Sequence, residues 1–317
     1  MPPPPEIKIL SAAWPDYALL DTGRRRNLER FGPHVLIRSE PKAWWDPILP
    51  DAEWAKAQAV HVEDDRWQLA PGVAREWTMR WRELTLQAKF TDGSKHLGVF
   101  PEQAPHWEFI QAGSGERGAG SGNGKWKMEN GKHPEPTAAV DPDARPKLLN
   151  LFGYTGVATL AAAAAGFAVT HVDASKPAVA WARHNQMLSG LEHAPIRWIL
   201  DDAVKFVRRE VRRGVRYDAL ALDPPSFGRG PAGEIWKVEI GLPELLALCR
   251  EALVEKPRFV LLTLYNLEAS SIMLGNVLEQ MMRGAPGKVS IGELALTATA
   301  PGHRMLPLSL WGSWERA

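Results

Sequence analysis

The stretch Leu148-Leu-Asn-Leu-Phe-Gly-Tyr-Thr-Gly156 constrains the fold of this chain more than any other. Leu148–Phe152 is a short apolar run of the kind buried on both faces of a parallel sheet. Gly153 and Gly156 predict a tight turn with exposed backbone. Val157–Gly166 is mostly alanine, so a helix there can lie close against a sheet. A second apolar run, Ala168–Val172, ends at Asp173. That acid follows the loop by about 20 residues, the spacing at which nucleoside-binding folds place the carboxylate for ribose hydroxyls.

The same alternation continues to the end of the chain. Strands are predicted at Ile196–Leu200, Ala219–Leu222 and Phe259–Thr263, with helices at Val157–Ala165, Pro177–Ser189, Ala203–Arg213, Leu242–Ala252 and Ser270–Arg283. Pro177 suits a first helical turn, with Ser175 or Lys176 near the cap. Leu294–Thr299 and Ser309–Trp314 read as two final strands, antiparallel to their neighbours. The expected fold is α/β, a doubly wound, mostly parallel sheet of the seven-stranded, Rossmann-like type. Such sheets bind ligands at the carboxyl ends of their strands. Phe152, Asp173, Asp201–Asp202 and Asp223 all fall there.

Before this unit the chain reads differently. Residues 2–5 are prolines, expected as an extended tail. Tyr17–Asp21 and His34–Arg38 read as strands around a turn at Thr22–Arg26, with Arg24, Arg25, Arg26 and Arg30 as a basic cluster. Ala43–Ala59 is expected to be partly helical. Trp77–Trp81, Leu84–Thr91 and His96–Phe100 alternate with period 2 and predict a small antiparallel unit. Many of the 14 tryptophans lie in this first third. They read first as core fillers and second as platforms for stacking bases. Gly113–Gly131 is Gly- and Ser-rich and reads as a linker or insertion. The expected division is residues 1–112 as a small β-rich domain, 113–144 as linker, and 145–317 as the sheet-and-helix domain.

A net charge of +1 argues against a globally basic surface, so any nucleic-acid contact must be local. Cys249 is the only cysteine. Being alone, it excludes an intrachain disulfide and a cysteine-based metal site, and it sits on the apolar side of a helical pattern as a small core residue. The histidines lack ligand spacing, and no metal is expected. Without a signal-like N-terminus or an apolar run of roughly 18 residues, the expectation is a cytoplasmic protein.

The loop is Gly153-Tyr-Thr-Gly156 rather than G-x-G-x-x-G, and no P-loop lysine follows. It suits an adenosine ligand without a pyrophosphate, and S-adenosylmethionine is one. Its methionine end would meet the loop, its ribose Asp173, and its adenine Asp202 and the Ala203 amide. Asp223-Pro-Pro-Ser226 then supplies a rigid, acceptor-rich corner. Pro224 and Pro225 withdraw two N–H donors, leaving carbonyls and the Asp223 carboxylate to hold an N–H-bearing nucleophile. Methyl transfer is an in-line displacement, for which positioning is the main demand.

Asn150–Gly156, His171-Val-Asp-Ala-Ser175, Asp201-Asp-Ala-Val-Lys-Phe206 and Leu222-Asp-Pro-Pro-Ser-Phe227 together resemble class I S-adenosylmethionine-dependent methyltransferases. More narrowly, they resemble the bacterial large-subunit (23S) rRNA methyltransferases, over about residues 97–265. Gly98-Val-Phe-Pro-Glu-Gln103 is similar to the segment that enters the cofactor site in that family. The resemblance implies cofactor contacts from Gln103, Asn150, Phe152, Gly153, Tyr154, Thr155, Gly156, Asp173, Ser175, Asp202, Ala203 and Asp223. It implies catalysis at Asp223, Pro224, Pro225 and Ser226, and rRNA as partner.

Relatives that methylate cytosine C5 carry a cysteine after the strand matching Phe259–Thr263, where this chain has Leu264-Tyr265-Asn266. A base nitrogen is therefore the expected acceptor. Phe227, Lys237, Tyr265 and Arg304 are candidates for substrate contact. A small-molecule or protein methyltransferase, and a non-catalytic module binding S-adenosylmethionine or RNA, are the competing readings.

Overall fold

The computed structural model describes residues 6–11, 14–62, 65–113, 145–265 and 267–317. The first part contains β1 (Ile7–Leu10), β2 (Tyr17–Gly23), β3 (Arg26–Phe31), β4 (His34–Ser39), α1 (Asp51–Trp54), β5 (Ala59–Val62), β6 (Arg66–Leu69), β7 (Glu76–Trp81) and β8 (Leu84–Lys89). A 3-10 turn at Pro101–Gln103 leads into α2 (Ala104–Ala112). The second part runs β9 (Lys147–Leu151), α3 (Val157–Ala164), β10 (Ala168–Asp173), α4 (Lys176–Leu188), β11 (Ile196–Leu200), α5 (Ala203–Arg212) and β12 (Ala219–Leu222). It continues through β13 (Phe227–Arg229), β14 (Ile235–Lys237), α6 (Val238–Ala252), β15 (Phe259–Tyr265), α7 (Ser271–Met281), β16 (Gly287–Thr297) and β17 (Met305–Arg316).

The large sheet has the order β1-β16-β17-β15-β12-β9-β10-β11. β15, β12, β9, β10 and β11 are mutually parallel, and β17 runs antiparallel to both β15 and β16. This is the doubly wound, mostly parallel sheet expected from the alternating pattern. Its central strands are apolar on both faces because helices cover both: α5, α6 and α7 pack over Leu149, Leu220 and Leu262, and α3 with α2 over Leu148, Ala219 and Leu261. The helix starts follow local chemistry. Ser175 caps α4 by accepting from the Ala178 amide, and Asp202 caps α5 by accepting from the Lys205 amide at 2.9 Å.

The unpredicted eighth strand is β1, which pairs in parallel with β16. The first described residues thus edge the large sheet rather than the small one. The small sheet has the order β2-β3-β4-β5-β6. Its second strand, β3, lies between β2 and β4 and occupies residues read from sequence as a turn and loop. Arg24 and Arg25 both take left-handed backbone angles, closing a two-residue hairpin turn, so the chain is already in a strand by Arg26. β7 and β8 pair as predicted, but His96–Phe100 forms no strand. It passes beneath α4, where a side chain at Gly98 would meet the Trp181 ring at 2.1 Å. The expected helix in Ala43–Ala59 is a single turn, α1.

Most tryptophans are core residues, with Trp14, Trp67, Trp81 and Trp107 in one cluster with Phe31 and Leu86. The arginine cluster is largely engaged. Arg24 bonds Asp46, Arg26 lies over Trp54, and Arg30 donates to the Pro15 and Gly32 carbonyls. Among the described residues no helix is long and apolar enough to cross a membrane. The prolines at 2–5 and nearly all of the Gly-rich stretch, residues 114–144, lie outside the described residues.

Candidate active site

β9, β10 and β12 end side by side, so parallel pairing alone brings Phe152, Asp173 and Asp223 to one rim. The loop after β9 is strained. Phe152 and Tyr154 carry φ of 58° and 48°, a region costly for side chains with a Cβ. Gly156 takes the third left-handed position, with φ of 84°. Gly153, expected as a turn glycine, does not. Its missing Cβ makes room for the His171 ring, which would otherwise lie 2.4 Å away.

Buried polar groups hold the loop from below. The Asn150 amide donates to Thr159 Oγ1 at 2.8 Å, and Thr159 Oγ1 is 2.9 Å from His171 Nδ1. Burial pushes His171 down to about 3, so the ring is neutral. Asn150 thus supports the loop from below while also lining the cleft. Thr155 Oγ1 donates to the Gly98 carbonyl at 2.5 Å, and its own carbonyl accepts from Asn185. Asn185 also accepts from the Gln87 amide of β8, tying the loop to the N-terminal hairpin.

Asp173 is organised by backbone. One carboxylate oxygen accepts from the Tyr154 amide and the other from the Ser175 amide, each at 2.8 Å. Burial raises its pKa, and these two bonds act against that rise.

Asp223 is in the opposite state. Its Oδ2 accepts from Gln103 Nε2 at 3.1 Å, while Oδ1 is buried with no partner. Burial, and then the charge of Glu102, push its pKa up to about 8. Gln103 Nε2 also donates to the Tyr265 hydroxyl at 2.9 Å, and Gln103 Oε1 meets His106 Nδ1 at 2.8 Å. His106, pushed down to about 3 by burial, lies 3.1 Å from Thr263 Oγ1. A cleft runs from Phe100 and Gln103 past Phe152–Thr155 to Asp223.

The Asp-Pro-Pro-Ser corner differs in one respect from its expected form. The Pro225 carbonyl accepts from Trp236 Nε1 at 2.7 Å, and the Ser226 carbonyl from the Val238 amide. These two carbonyls are bonded to β14 and to the first residue of α6 instead of facing an acceptor. Phe227 and Lys237 are opposite one another on this hairpin, both exposed. Tyr265 reaches the site through Gln103. Arg304 does not: it donates to the Asp46 carbonyl and lies over Trp45. Asp202 and Ala203 stand at the start of α5, one strand beyond Asp173, and, like Asp173 and Ser175, they lie outside the lining of the cleft past Asp223.

In the sequence Glu102 is legible only within the Gly98–Gln103 segment, without a role, and His106 is not singled out. Both are buried, and both gain their surroundings from distant segments. Only the neighbouring Gln103 carried a signal.

The chain is 39% identical to a crystallised SAM-dependent methyltransferase from Agrobacterium tumefaciens, over 99% of this chain and 94% of that one, with a TM-score of 0.86. It therefore belongs to the SAM-dependent methyltransferases, and its cofactor is S-adenosylmethionine. A structure from Streptococcus mutans, 15% identical with a TM-score of 0.67 over 94% of this chain and 75% of that one, shares the fold. Shorter matches are to ribosomal RNA large subunit methyltransferase I of Klebsiella pneumoniae, 37% identical over 82 residues, and methyltransferase K/L of Shewanella baltica, 38% over 82 residues. These cover 26% of this chain and only 20% and 11% of those proteins. No protein-family model matches the chain.

The residues present fit the cofactor. Two rim carboxylates, one with a buried unpartnered oxygen, make a site suited to a cation next to an adenosine. When bound, S-adenosylmethionine supplies an electrophilic methyl group on a positively charged sulfur.

Proposed function

We propose that the chain methylates a nitrogen of an RNA base, with rRNA as the favoured substrate. The observation that carries the reading is the buried, unpartnered Oδ1 of Asp223 at the edge of the cleft. A buried carboxylate oxygen without a partner is costly, and a cation or an N–H donor relieves that cost. Asp223 serves both in turn. It faces the sulfonium, and it orients the acceptor nitrogen.

Phe152–Gly156 holds the methionine end, and Asp173 the ribose while it keeps the loop shaped. Asp202 and the Ala203 amide take the adenine edge, and Ser175 fixes the helix start beside the ribose. Gln103 positions Asp223. Pro224, Pro225 and Ser226 keep the Asp223 backbone rigid. Phe227 and Lys237, exposed on a hairpin beside the site, are suited to a base and a phosphate.

A nitrogen acceptor needs no covalent nucleophile. Cys249 is fully buried in α6, and burial pushes its thiol well above the ordinary range, so it takes no part. The 82-residue matches to rRNA methyltransferases support RNA as the substrate class. The substrate side is assigned to the small sheet β2–β6 rather than to the whole of residues 1–112, because β1 edges the large sheet and α2 packs on it.

The test is transfer of radiolabelled methyl groups to total RNA, followed by nucleoside mass analysis. A labelled N-methyl nucleoside is expected. Label confined to protein or small molecules, or carried on a base carbon, contradicts the reading. Binding to RNA should weaken steeply as salt rises.

A further inference from the structure

A second cavity, of about 250 Å³, lies between the small sheet and the rim of the large one. Phe100 lines both this cavity and the cofactor cleft. The hydrogen bond from Gln103 to Tyr265 stands at the boundary, because Gln103 faces the cleft and Tyr265 the cavity.

The lining has an unusual charge pattern. Arg38, Lys42 and Lys95 supply cations, and Glu40 and Glu102 supply carboxylates. Arg38 is committed to Glu29 by two bonds of 2.6 Å, and Lys95 donates to the Ser39 carbonyl at 2.9 Å. Lys42 donates to the Leu308 carbonyl. The cations therefore form a fixed wall, which repels a lysine or arginine substrate. A free anion would meet the two carboxylates. What fits is a neutral flat ring with acceptors on one edge and N–H donors on another. Phe100 and Tyr265, with ring centroids 5.8 Å apart, offer aromatic faces for it.

We propose that this cavity is the acceptor pocket, taking an amino-bearing nucleobase whose N–H edge donates to Glu102 beside Asp223, and that Glu102 receives the proton shed by the methylated nitrogen. The proposal rests on the RNA-base reading above and adds the pocket and the proton acceptor. The balance is simple. The nitrogen lone pair forms the N–C bond, and the C–S bond breaks with its electron pair staying on sulfur. The N–H bond then breaks with its pair staying on nitrogen, and the proton joins a Glu102 oxygen.

Glu102 is buried in the 3-10 turn, adjacent to Gln103. It is faced by Arg38 and Glu29 of the small sheet, Tyr17 of β2, Lys95 after β8, Tyr265 of β15 and Asp223 after β12. Burial pushes its pKa up to about 7, against the pull of Arg38. It can therefore both accept and release a proton near neutrality.

Two experiments test this. Crystals of the protein with S-adenosylhomocysteine are soaked separately with adenosine, cytidine, guanosine and uridine. The expected result is a base in the cavity with its amine donating to Glu102. A cavity left empty by all four nucleosides overturns the proposal. In parallel, Glu102→Gln is compared with the wild type. The variant should bind S-adenosylmethionine with little change but transfer methyl to RNA roughly 100-fold more slowly, the lower bound for a lost general base. The wild-type rate should rise with pH through about 7, whereas the variant's rate should not follow that titration. A variant with the wild-type rate and pH profile overturns the role of Glu102. If the wild type transfers no methyl to RNA, the RNA reading fails, while the nucleoside soaks still decide the pocket.

Discussion

Asp173 and Asp223 stand at the ends of neighbouring parts of one sheet and meet opposite conditions. Asp173 has both oxygens on backbone amides of the loop it supports. Asp223 has one oxygen on a glutamine amide and the other buried alone. The first carboxylate builds the site and is complete without a ligand. The second is left incomplete by the fold, and under the proposed function a ligand completes it. A pair of acids in equivalent topological positions can thus divide into scaffold and reactive group through their hydrogen bonds alone.

The largest effect expected from breaking this contrast is at Asp223. Asp223→Asn keeps the shape and the Gln103 neighbour but removes the charge. Methyl transfer should fall by roughly 100-fold or more, the scale set by losing a preorganised electrostatic contact. S-adenosylmethionine affinity, read by calorimetry, should fall less. Wild-type turnover in this variant would remove Asp223 from the chemistry.

Asp173→Ala should act the other way, mainly on binding and stability. It strips two charge-assisted bonds from the loop, each worth about 1.5–3 kcal/mol. Cofactor affinity should weaken by about 10–100-fold, with a lower melting temperature even in the absence of cofactor. A variant that binds normally and melts normally would contradict the scaffold role.

Gly98→Ala probes the packing that joins the two halves. Gly98 has a φ of 92°, and an added Cβ would lie 2.1 Å from the Trp181 ring. Left-handed strain and overpacking together predict a loss of roughly 3 kcal/mol in unfolding free energy. Denaturant melts at matched pH measure it.

The smallest effect is at Cys249. Cys249→Ala should leave methyl transfer unchanged and cost about 1 kcal/mol of stability as a small core residue. Loss of activity without loss of fold would revive covalent chemistry.

Titration sharpens the same comparison. Asp223 and Glu102 have folded pKa values of about 8 and about 7, above the ordinary carboxyl range. Between about pH 4 and 8 the folded chain keeps protons that the unfolded chain has already released. The contribution of these acids to stability is therefore full at low pH and lost as pH rises through that window. Melting temperatures across the window, with and without S-adenosylmethionine, should show this fall and its partial reversal by the cationic cofactor.

The large sheet was legible because its strands are continuous apolar runs and its helices carry local caps. Ser175-Lys-Pro177 marks the start of α4 without reference to anything distant. The rim acids were legible because a parallel strand places its last residue at a known edge. The small sheet was harder. Arg26–Phe31 carries two arginines and a glutamate, and its strand identity comes from the left-handed pair before it. Ile7–Leu10 is an edge strand whose residues stay partly or fully exposed, so only its pairing with β16 defines it. His96–Phe100 alternates like a strand, yet it is held in place by Trp181 and Thr155. Glu102 was legible only as a member of the Gly98–Gln103 segment, and its surroundings were not, since Arg38 and Tyr265 are far from it in sequence. The bonds of the Pro225 and Ser226 carbonyls were not legible for the same reason: their partners, Trp236 in β14 and Val238 at the start of α6, lie beyond the motif.

With its pKa pushed up by burial, Asp223 holds a proton in the free protein, and under the proposed function it ionises to receive the cofactor. Calorimetry of S-adenosylmethionine binding at pH 7, in buffers of different ionisation enthalpy, measures the protons released. About one proton is expected to be released on binding to the wild type, and none on binding to Asp223→Asn. An equal proton count in the two proteins would contradict it.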